Sequence, residues 1–123
     1  MAKPEGKFHK KMMDEGYCDD RGVVFCATAT SLPNGEYGIV LLALHGDILS
    51  IYDVLNMHNT IGDRLYEIPL QKMDDFQMAA SFLGEMTHGY AFRFTYCGVV
   101  CSFKNCFPMK QMIQTIADAA AEA

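Results

Sequence analysis

The chain ends in residues 90–123, YAFRFTYCGVVCSFKNCFPMKQMIQTIADAAAEA, where the hydrophobic period changes midway. Aromatic residues at alternate positions in the first part predict a strand with one aromatic face toward a core. They are Tyr90, Phe92, Phe94 and Tyr96. A return strand is predicted over 99–104, with Cys97-Gly98 as the turn, because glycine supplies the positive φ of tight hairpins. An unbroken, bent strand is the alternative.

After this hairpin the apolar residues recur at helical spacing. They are Met109, Met112, Ile113, Ile116, Ala117 and Ala120. Pro108 suits the first helical turn, and polar residues such as Lys110 and Gln114 occupy the other face. The sequence therefore predicts a C-terminal amphipathic helix that lies on an apolar surface.

Most of the preceding chain predicts strands. Alternating β-branched and small residues indicate a strand over 23–31, and the Pro-Asn-Gly turn of 32–36 ends it. Nearly continuous apolar residues over 37–44 indicate a central strand. A turn at His45-Gly46-Asp47 leads to a third strand over 48–54. These three strands are predicted to form a meander.

Further strands are predicted over 65–70 and 76–83, after a loop over 55–63. Pro69 places the first of them at a sheet edge, since proline cannot donate to a ladder. The spacing in 76–83 fits a helix as well as a strand, and the topology favours a strand. Residues 6–15 predict an N-terminal helix, with Phe8, Met12 and Met13 on one side and Gly16 as its C-cap.

The resulting order is helix, seven strands, helix. It predicts a mainly β (α+β) fold, an antiparallel seven-stranded barrel or sandwich closed by the C-terminal amphipathic helix, with an extra N-terminal helix. Residues 1–21 would form that helix and its lead-in, and residues 22–123 the barrel, within a single domain overall.

Two stretches resemble the pleckstrin-homology-like barrel, particularly the small bacterial pleckstrin-homology-like domains. Residues 65–73, LYEIPLQKM, have the Ile-Pro-Leu strand leading into a polar turn, and residues 92–115 have the closing hairpin and helix. The resemblance covers about residues 22–120 and implies a seven-stranded barrel closed by one helix. It leaves the N-terminal helix unexplained.

Charge argues against several ligand classes. Family members that bind phosphoinositides place Lys and Arg in the first hairpin loop and its flanking strands. Here the loop 31–36 has no basic residue and one acid, residues 23–44 contain no Lys or Arg, and the net charge is −5. Nucleic acid is disfavoured by the same balance. The one basic cluster, Lys7, His9, Lys10 and Lys11, is interpreted as a solvated helix face.

The five cysteines are an odd number without paired CxxC spacing, and no secretory signal is evident, which favours reduced thiols and a cytoplasmic protein. Cys97, Cys101 and Cys106 could form a metal site. A turn residue and a core residue would direct their thiols apart, however, and a closed zinc site needs four convergent ligands. We therefore predict no metal and no cofactor. The longest apolar stretch, 39–44, is too short for a membrane helix.

No catalytic constellation is evident. The histidines His9, His45, His58 and His88 fall in the exposed helix or in turns, and the Asp74-Asp75 side chains point apart in an extended chain. Two non-enzymatic hypotheses remain. One is an interaction module that binds a protein partner or forms a homodimer through an edge strand or the N-terminal helix, with Met57 and His58 in the loop 55–63 as a candidate contact. The other is a barrel that binds a small apolar ligand or lipid in a cavity. That cavity would be lined by Phe25, Leu42, Phe92 and Phe94.

Overall fold

The computed structural model describes residues 6–34, 37–54, 61–80, 90–106 and 110–123. Within them two α-helices flank seven strands. The elements are α1 (Gly6–Asp14), β1 (Val24–Ser31), β2 (Gly38–His45), β3 (Ile48–Val54), β4 (Ile61–Pro69), a 3₁₀ helix (Leu70–Lys72), β5 (Asp74–Ala80), β6 (Tyr90–Tyr96), β7 (Val99–Cys106) and α2 (Lys110–Glu122). The predicted fold class is confirmed, and the architecture is consistent with a pleckstrin-homology-like sandwich or barrel.

All seven strands are antiparallel in one sheet of order β4-β3-β2-β1-β7-β6-β5. The predicted β1–β2–β3 meander is confirmed, and β4 lies at an edge, as Pro69 predicted. Residues 74–80 are a strand, which decides against a helix there. One boundary was wrong: residues 61–63, predicted as the end of a loop, already belong to β4. Pairing of Ile61 with Val54 of β3 extends the ladder into them.

The hairpin between β6 and β7 turns where the sequence predicted. Cys97 has a φ of +53° and Gly98 a φ of +80°, and Tyr96 pairs with Val99 across the turn. Two successive residues with positive φ are characteristic of the type I′ turn, whose twist matches that of the flanking strands. The unbroken-strand alternative is therefore wrong.

The main core lies on the inner face of the sheet and is rich in stacked aromatic rings. Phe92 packs on Phe103 with 4.9 Å between ring centroids and on Phe76 with 5.5 Å. Ile113 and Ile116 of α2 are fully buried in this core. Because α2 contacts both β5 and the 3₁₀ helix after β4, it closes the gap between the two sheet edges. The predicted apolar stripe of α2 thus faces the core at these positions; Met109 lies outside the described residues.

A second core covers the outer face of the first half of the sheet. Met12 of α1 packs there with Cys18, Val24, Leu41 and Ala43. Alternate residues of β2 point to opposite faces, so β2 is buried on both sides. Met13 was predicted on the packed side of α1 but is 37% exposed, because adjacent helical residues lie about 100° apart. Met12, and not Met13, is therefore the residue through which α1 packs on the sheet.

A salt-bridged cluster fixes the segment between α1 and β1 to the β2–β3 turn. The Asp19 carboxylate accepts hydrogen bonds from Arg21 Nη2 at 2.6 Å and from the Gly46 amide at 2.8 Å. Arg21 Nη2 also donates to the Gly46 carbonyl oxygen. The Arg21 guanidinium is the main reason why the pKa of Asp19 lies far below its ordinary value. This cluster holds the end of the α1 lead-in against the sheet.

Candidate functional site

Three strand connections gather at one end of the sheet, which we call the hairpin end. The register pairs Ala29 near the end of β1 with Gly38 at the start of β2, and Val54 at the end of β3 with Ile61 at the start of β4. The β6–β7 hairpin lies at the same end, because the Ser31 hydroxyl donates to the carbonyl oxygen of Val100 at 2.9 Å. Long-range pairing therefore assembles this end from six strands.

Most of the large apolar residues that the described structure exposes lie at the hairpin end. Tyr37 is 83% exposed, Ile39 59% and Leu65 39%, and these three, the hairpin-end patch, border one depression of about 380 Å³. Val99 and Val100 are also exposed, at the start of β7. Contiguous exposed apolar residues of this kind mark interaction sites more often than single ones do.

The packing of α1 explains why Ile39 is exposed. Ile39 lies on the same strand face as Leu41 and Ala43, since side chains alternate along β2. α1 covers Leu41 and Ala43 in the second core, and the cover ends before Ile39. The continuous apolar run over 37–44 predicted a buried strand, so the exposure of Tyr37 and Ile39 was missed. The turn predicted over 32–36, just before Tyr37, was the available sign that the strand begins at the surface.

The depression has a mixed lining, to which polar and apolar atoms contribute about equally. Among the described residues, Leu32 and Val54 line it with the hairpin-end patch, and Asp53 contributes the one carboxylate. No Lys or Arg is among these described lining residues. Such a lining can bury apolar side chains of a partner but offers no cation to a phosphate group.

The predicted contact at Met57 and His58 lies outside the described residues, as do residues 35–36. The last described residue before the predicted loop over 55–63, Val54, lines the depression and pairs with Ile61 of β4.

The cysteines occupy the predicted environments. Cys97 is exposed in the turn and Cys101 is fully buried, with its thiol 3.8 Å from the Val99 carbonyl oxygen. Burial, and then the nearby Cys97, raises the pKa of Cys101 to about 11. Burial likewise raises the pKa of Cys18 to about 11, with a smaller contribution from Asp19. These two thiols are therefore protonated near neutral pH and poor nucleophiles.

The remaining polar residues considered from the sequence are dispersed. His45 is exposed at the end of β2, while His58 and His88 lie outside the described residues. Asp74 and Asp75 are exposed at the start of β5, where Asp75 has a φ of +54°. In the described ranges no three His, Cys, Asp or Glu side chains converge as metal ligands. Nor does any helix there have the length and apolar character needed to cross a membrane.

The residues predicted to line an interior cavity pack against one another instead. Phe25, Leu42, Phe92 and Phe94 are all at most 3% exposed and belong to the main core. The Phe25 and Phe92 rings meet edge to face at 6.3 Å, and Phe92 and Phe94 stack at 6.3 Å. These are contact distances for aromatic rings, so these residues leave no ligand-sized space between them.

No protein-family profile and no curated protein matches the chain. Similar solved structures include the pleckstrin homology domain of ArhGAP27, with a TM-score of 0.46 and 12% identity over 80% of this chain and 93% of that one. Inner Membrane Complex Sub-compartment Protein 3 from Toxoplasma gondii has a TM-score of 0.46 and 10% identity over 95% of this chain and 86% of that one. Similarity at these TM-scores and sequence identities does not assign a function to this chain. The bacterial pleckstrin-homology-like group stays a prediction.

Proposed function

We propose that the chain is a non-enzymatic interaction module that binds a protein partner, or a second copy of itself, through the hairpin-end patch. The observation that carries the proposal is the exposure of Tyr37, Ile39 and Leu65 around one depression. Tyrosine is among the residues that contribute most to the energy of protein interfaces, and burial of the aliphatic residues beside it adds to that energy. The thiols of Cys18, Cys97 and Cys101 are not in disulfides, which supports a reducing, cytoplasmic setting.

Charge favours a protein over an anionic lipid at this surface. Among the described residues that line the depression none is cationic, and the one charged residue, Asp53, would repel phosphate. Burial of apolar side chains against it needs no charge and is stabilised by about 25 cal/mol per Å² of apolar area removed from water. The packed aromatic core gives the interior-ligand hypothesis no comparable support.

The test compares the wild type with the double variant Tyr37→Ser/Ile39→Ser. Met13→Gln is the matched control, because Met13 is another exposed apolar residue but lies on α1, away from the depression. Sedimentation velocity at increasing concentration measures self-association, and affinity capture with quantitative mass spectrometry compares the proteins retained by each form. Circular dichroism confirms that the variants fold.

Self-association predicts a dimer for the wild type and Met13→Gln and a monomer for the double variant. A separate partner predicts monomers throughout and at least one retained protein that the double variant loses about tenfold or more, the equivalent of about 1.4 kcal/mol. The proposal fails if the wild type is monomeric and retains nothing that the double variant does not retain equally.

A further inference from the structure

A second depression, of about 390 Å³, lies on the outer face of the sheet half formed by β1, β7, β6 and β5. We call it the cationic groove and define it by Thr30, Gln77, Arg93, Ser102 and Lys104. Arg93 alternates with buried Phe92 and Phe94, and Lys104 follows buried Phe103, so both cations are on the face opposite the core. The second core covers the other half of this face, around β2.

Strand register brings the five residues together from four strands. Arg93 pairs with Ser102 on one side and with Gln77 on the other, which places three polar residues in one row across the sheet. Thr30 joins this row at a bulge in β1, where its hydroxyl lies 3.1 Å from Ser102 Oγ. Lys104 is two residues beyond Ser102 on the same face, diagonal to Arg93 and roughly 7–8 Å from it along the sheet.

The groove is positively charged in a chain whose net charge is −5. The described residues that line it include two cations and no carboxylate. Arg93 Nη2 donates to the side-chain oxygen of Gln77 at 2.9 Å, a neutral partner that orients the guanidinium and leaves its charge uncompensated. In the described part of the chain neither Arg93 nor Lys104 takes part in an ion pair. A ligand with a charge complementary to this groove is therefore an anion.

The floor of the groove adds an apolar requirement. Met78, Ala91, Phe92 and Phe103 also line the groove, and most of its lining surface is apolar. Ala91 is on the outer face with Arg93, whereas the side chains of Phe92 and Phe103 belong to the main core. The volume of the groove lies at the lower end of the range of about 300–1,000 Å³ typical of small-molecule sites. A bare inorganic anion would meet the cations and leave the floor unfilled, while a neutral apolar molecule would leave the cations unpaired.

We propose that the cationic groove binds a small amphipathic anion, a carboxylate or phosphate monoester attached to a short apolar body. The acid group accepts hydrogen bonds from Arg93 and Lys104, and the apolar body lies along the floor beside Ala91. Arginine and lysine both suit this role, since hydrogen bonds to ionised oxygens are the stronger ones in proteins. The site is separate from the hairpin-end patch and does not depend on the function proposed for that patch.

The test titrates the ¹⁵N-labelled protein with decanoate, decyl phosphate, decanol and inorganic phosphate, each below any micelle concentration, and follows amide shifts by NMR. The variants are Arg93→Gln and Lys104→Gln. Arg64→Gln is the control, because Arg64 is an exposed arginine on β4 that pairs with Glu67 at 2.8 Å, outside the groove. Spectra of the free variants establish that each is folded.

Decanoate or decyl phosphate should shift the amides of residues 91–93 and 102–104, and the stronger of the two identifies the acid group. Affinity should fall about tenfold in Arg93→Gln and in Lys104→Gln and stay unchanged in Arg64→Gln. Decanol and inorganic phosphate should each bind at least tenfold more weakly. The proposal is overturned if neither amphipathic anion shifts these amides, if decanol binds equally well, or if both groove variants bind as the wild type does.

Discussion

Removal of the Asp19 carboxylate should destabilise the protein although Asp19 lies outside both cores. The carboxylate accepts from the Arg21 amide at 3.0 Å, from Arg21 Nε at 3.0 Å and Nη2 at 2.6 Å, and from the Gly46 amide at 2.8 Å. Asp19→Ala leaves the Gly46 amide and the Arg21 guanidinium without this acceptor. The lead-in from α1 then loses its attachment to the β2–β3 turn.

The expected loss is about 2 kcal/mol. Hydrogen bonds to charged groups contribute about 1.5–3 kcal/mol, and the lower part of that range applies here because water partly screens the pair. The side chains are 33% exposed for Arg21 and 22% for Asp19. A chain of 123 residues has an unfolding entropy of about 0.26 kcal/mol/K near its Tm, so the Tm should fall by about 8 °C.

The pH dependence of this loss has a definite sign. Hydrogen bonds from Arg21 lower the pKa of Asp19 in the folded state far below its ordinary value of 3.8. A carboxyl group whose folded pKa is depressed contributes its full stability above the unfolded pKa and loses it as pH falls toward the folded pKa. The difference between wild type and Asp19→Ala should therefore be constant from pH 5 to 8 and shrink below about pH 4.

Urea unfolding followed by circular dichroism at several pH values measures both effects. Asp20→Ala is the matched control, since Asp20 is the exposed neighbouring carboxylate and does not take part in the Gly46 contacts; it should change the free energy of unfolding by less than about 0.5 kcal/mol. If Asp19→Ala and Asp20→Ala were equally stable at pH 7, or if the Asp19 difference persisted unchanged at pH 2, the reasoning would be refuted.

Three further predictions concern the turn, the closing helix and the thiols. Cys97→Asn should stabilise the protein by about 0.5–1 kcal/mol in urea unfolding, because asparagine tolerates the positive φ at this position better and Asn-Gly suits the turn. Ile116→Ala should destabilise it by about 3 kcal/mol in the same assay, because Ile116 is fully buried. Iodoacetamide at pH 8, followed by peptide mass spectrometry, should label exposed Cys97 well before Cys18 and Cys101, whose pKa is raised to about 11.

Each of these predictions has a control. Thr95→Asn on β6 tests whether asparagine also stabilises the protein outside the turn, and we expect no stabilisation there. Gln114→Ala, on the exposed side of α2, should change stability by less than about 0.5 kcal/mol. Urea should equalise the labelling of Cys18, Cys97 and Cys101. Unequal labelling after complete unfolding would show that burial is not the cause.

Local sequence patterns predicted the helices and strands, because helix and strand formation depends mainly on residues that are close in the chain. The alternation over Tyr90–Tyr96 and the positive φ available to Gly98 placed the last hairpin, and Pro69 placed β4 at an edge. The buried positions of α2, Ile113 and Ile116, followed from helical spacing. The ends of elements differed, as at Ile61, where pairing with a neighbouring strand extended β4, and the 3₁₀ helix Leu70–Lys72 was not predicted.

The candidate surfaces could not be predicted from local sequence patterns. Ile39 and Leu41 are both aliphatic residues on one face of β2, yet α1 covers Leu41 and leaves Ile39 exposed. Arg93 and Lys104 are 11 residues apart in sequence, and the β6–β7 register places them in one groove with Gln77 from β5. The Asp19–Gly46 contact likewise joins residues 27 positions apart.

The sequence by itself determined the order of helices and strands, the positions of the turns at Gly46 and Gly98 and the inward face of β6, since periodicity and backbone preference are local properties. Tertiary structure decided which apolar residues remain exposed at the hairpin end and which cations share the groove. Both depend on how strands pair in register and where α1 stops covering the sheet, and these are long-range contacts that no short stretch of sequence contains.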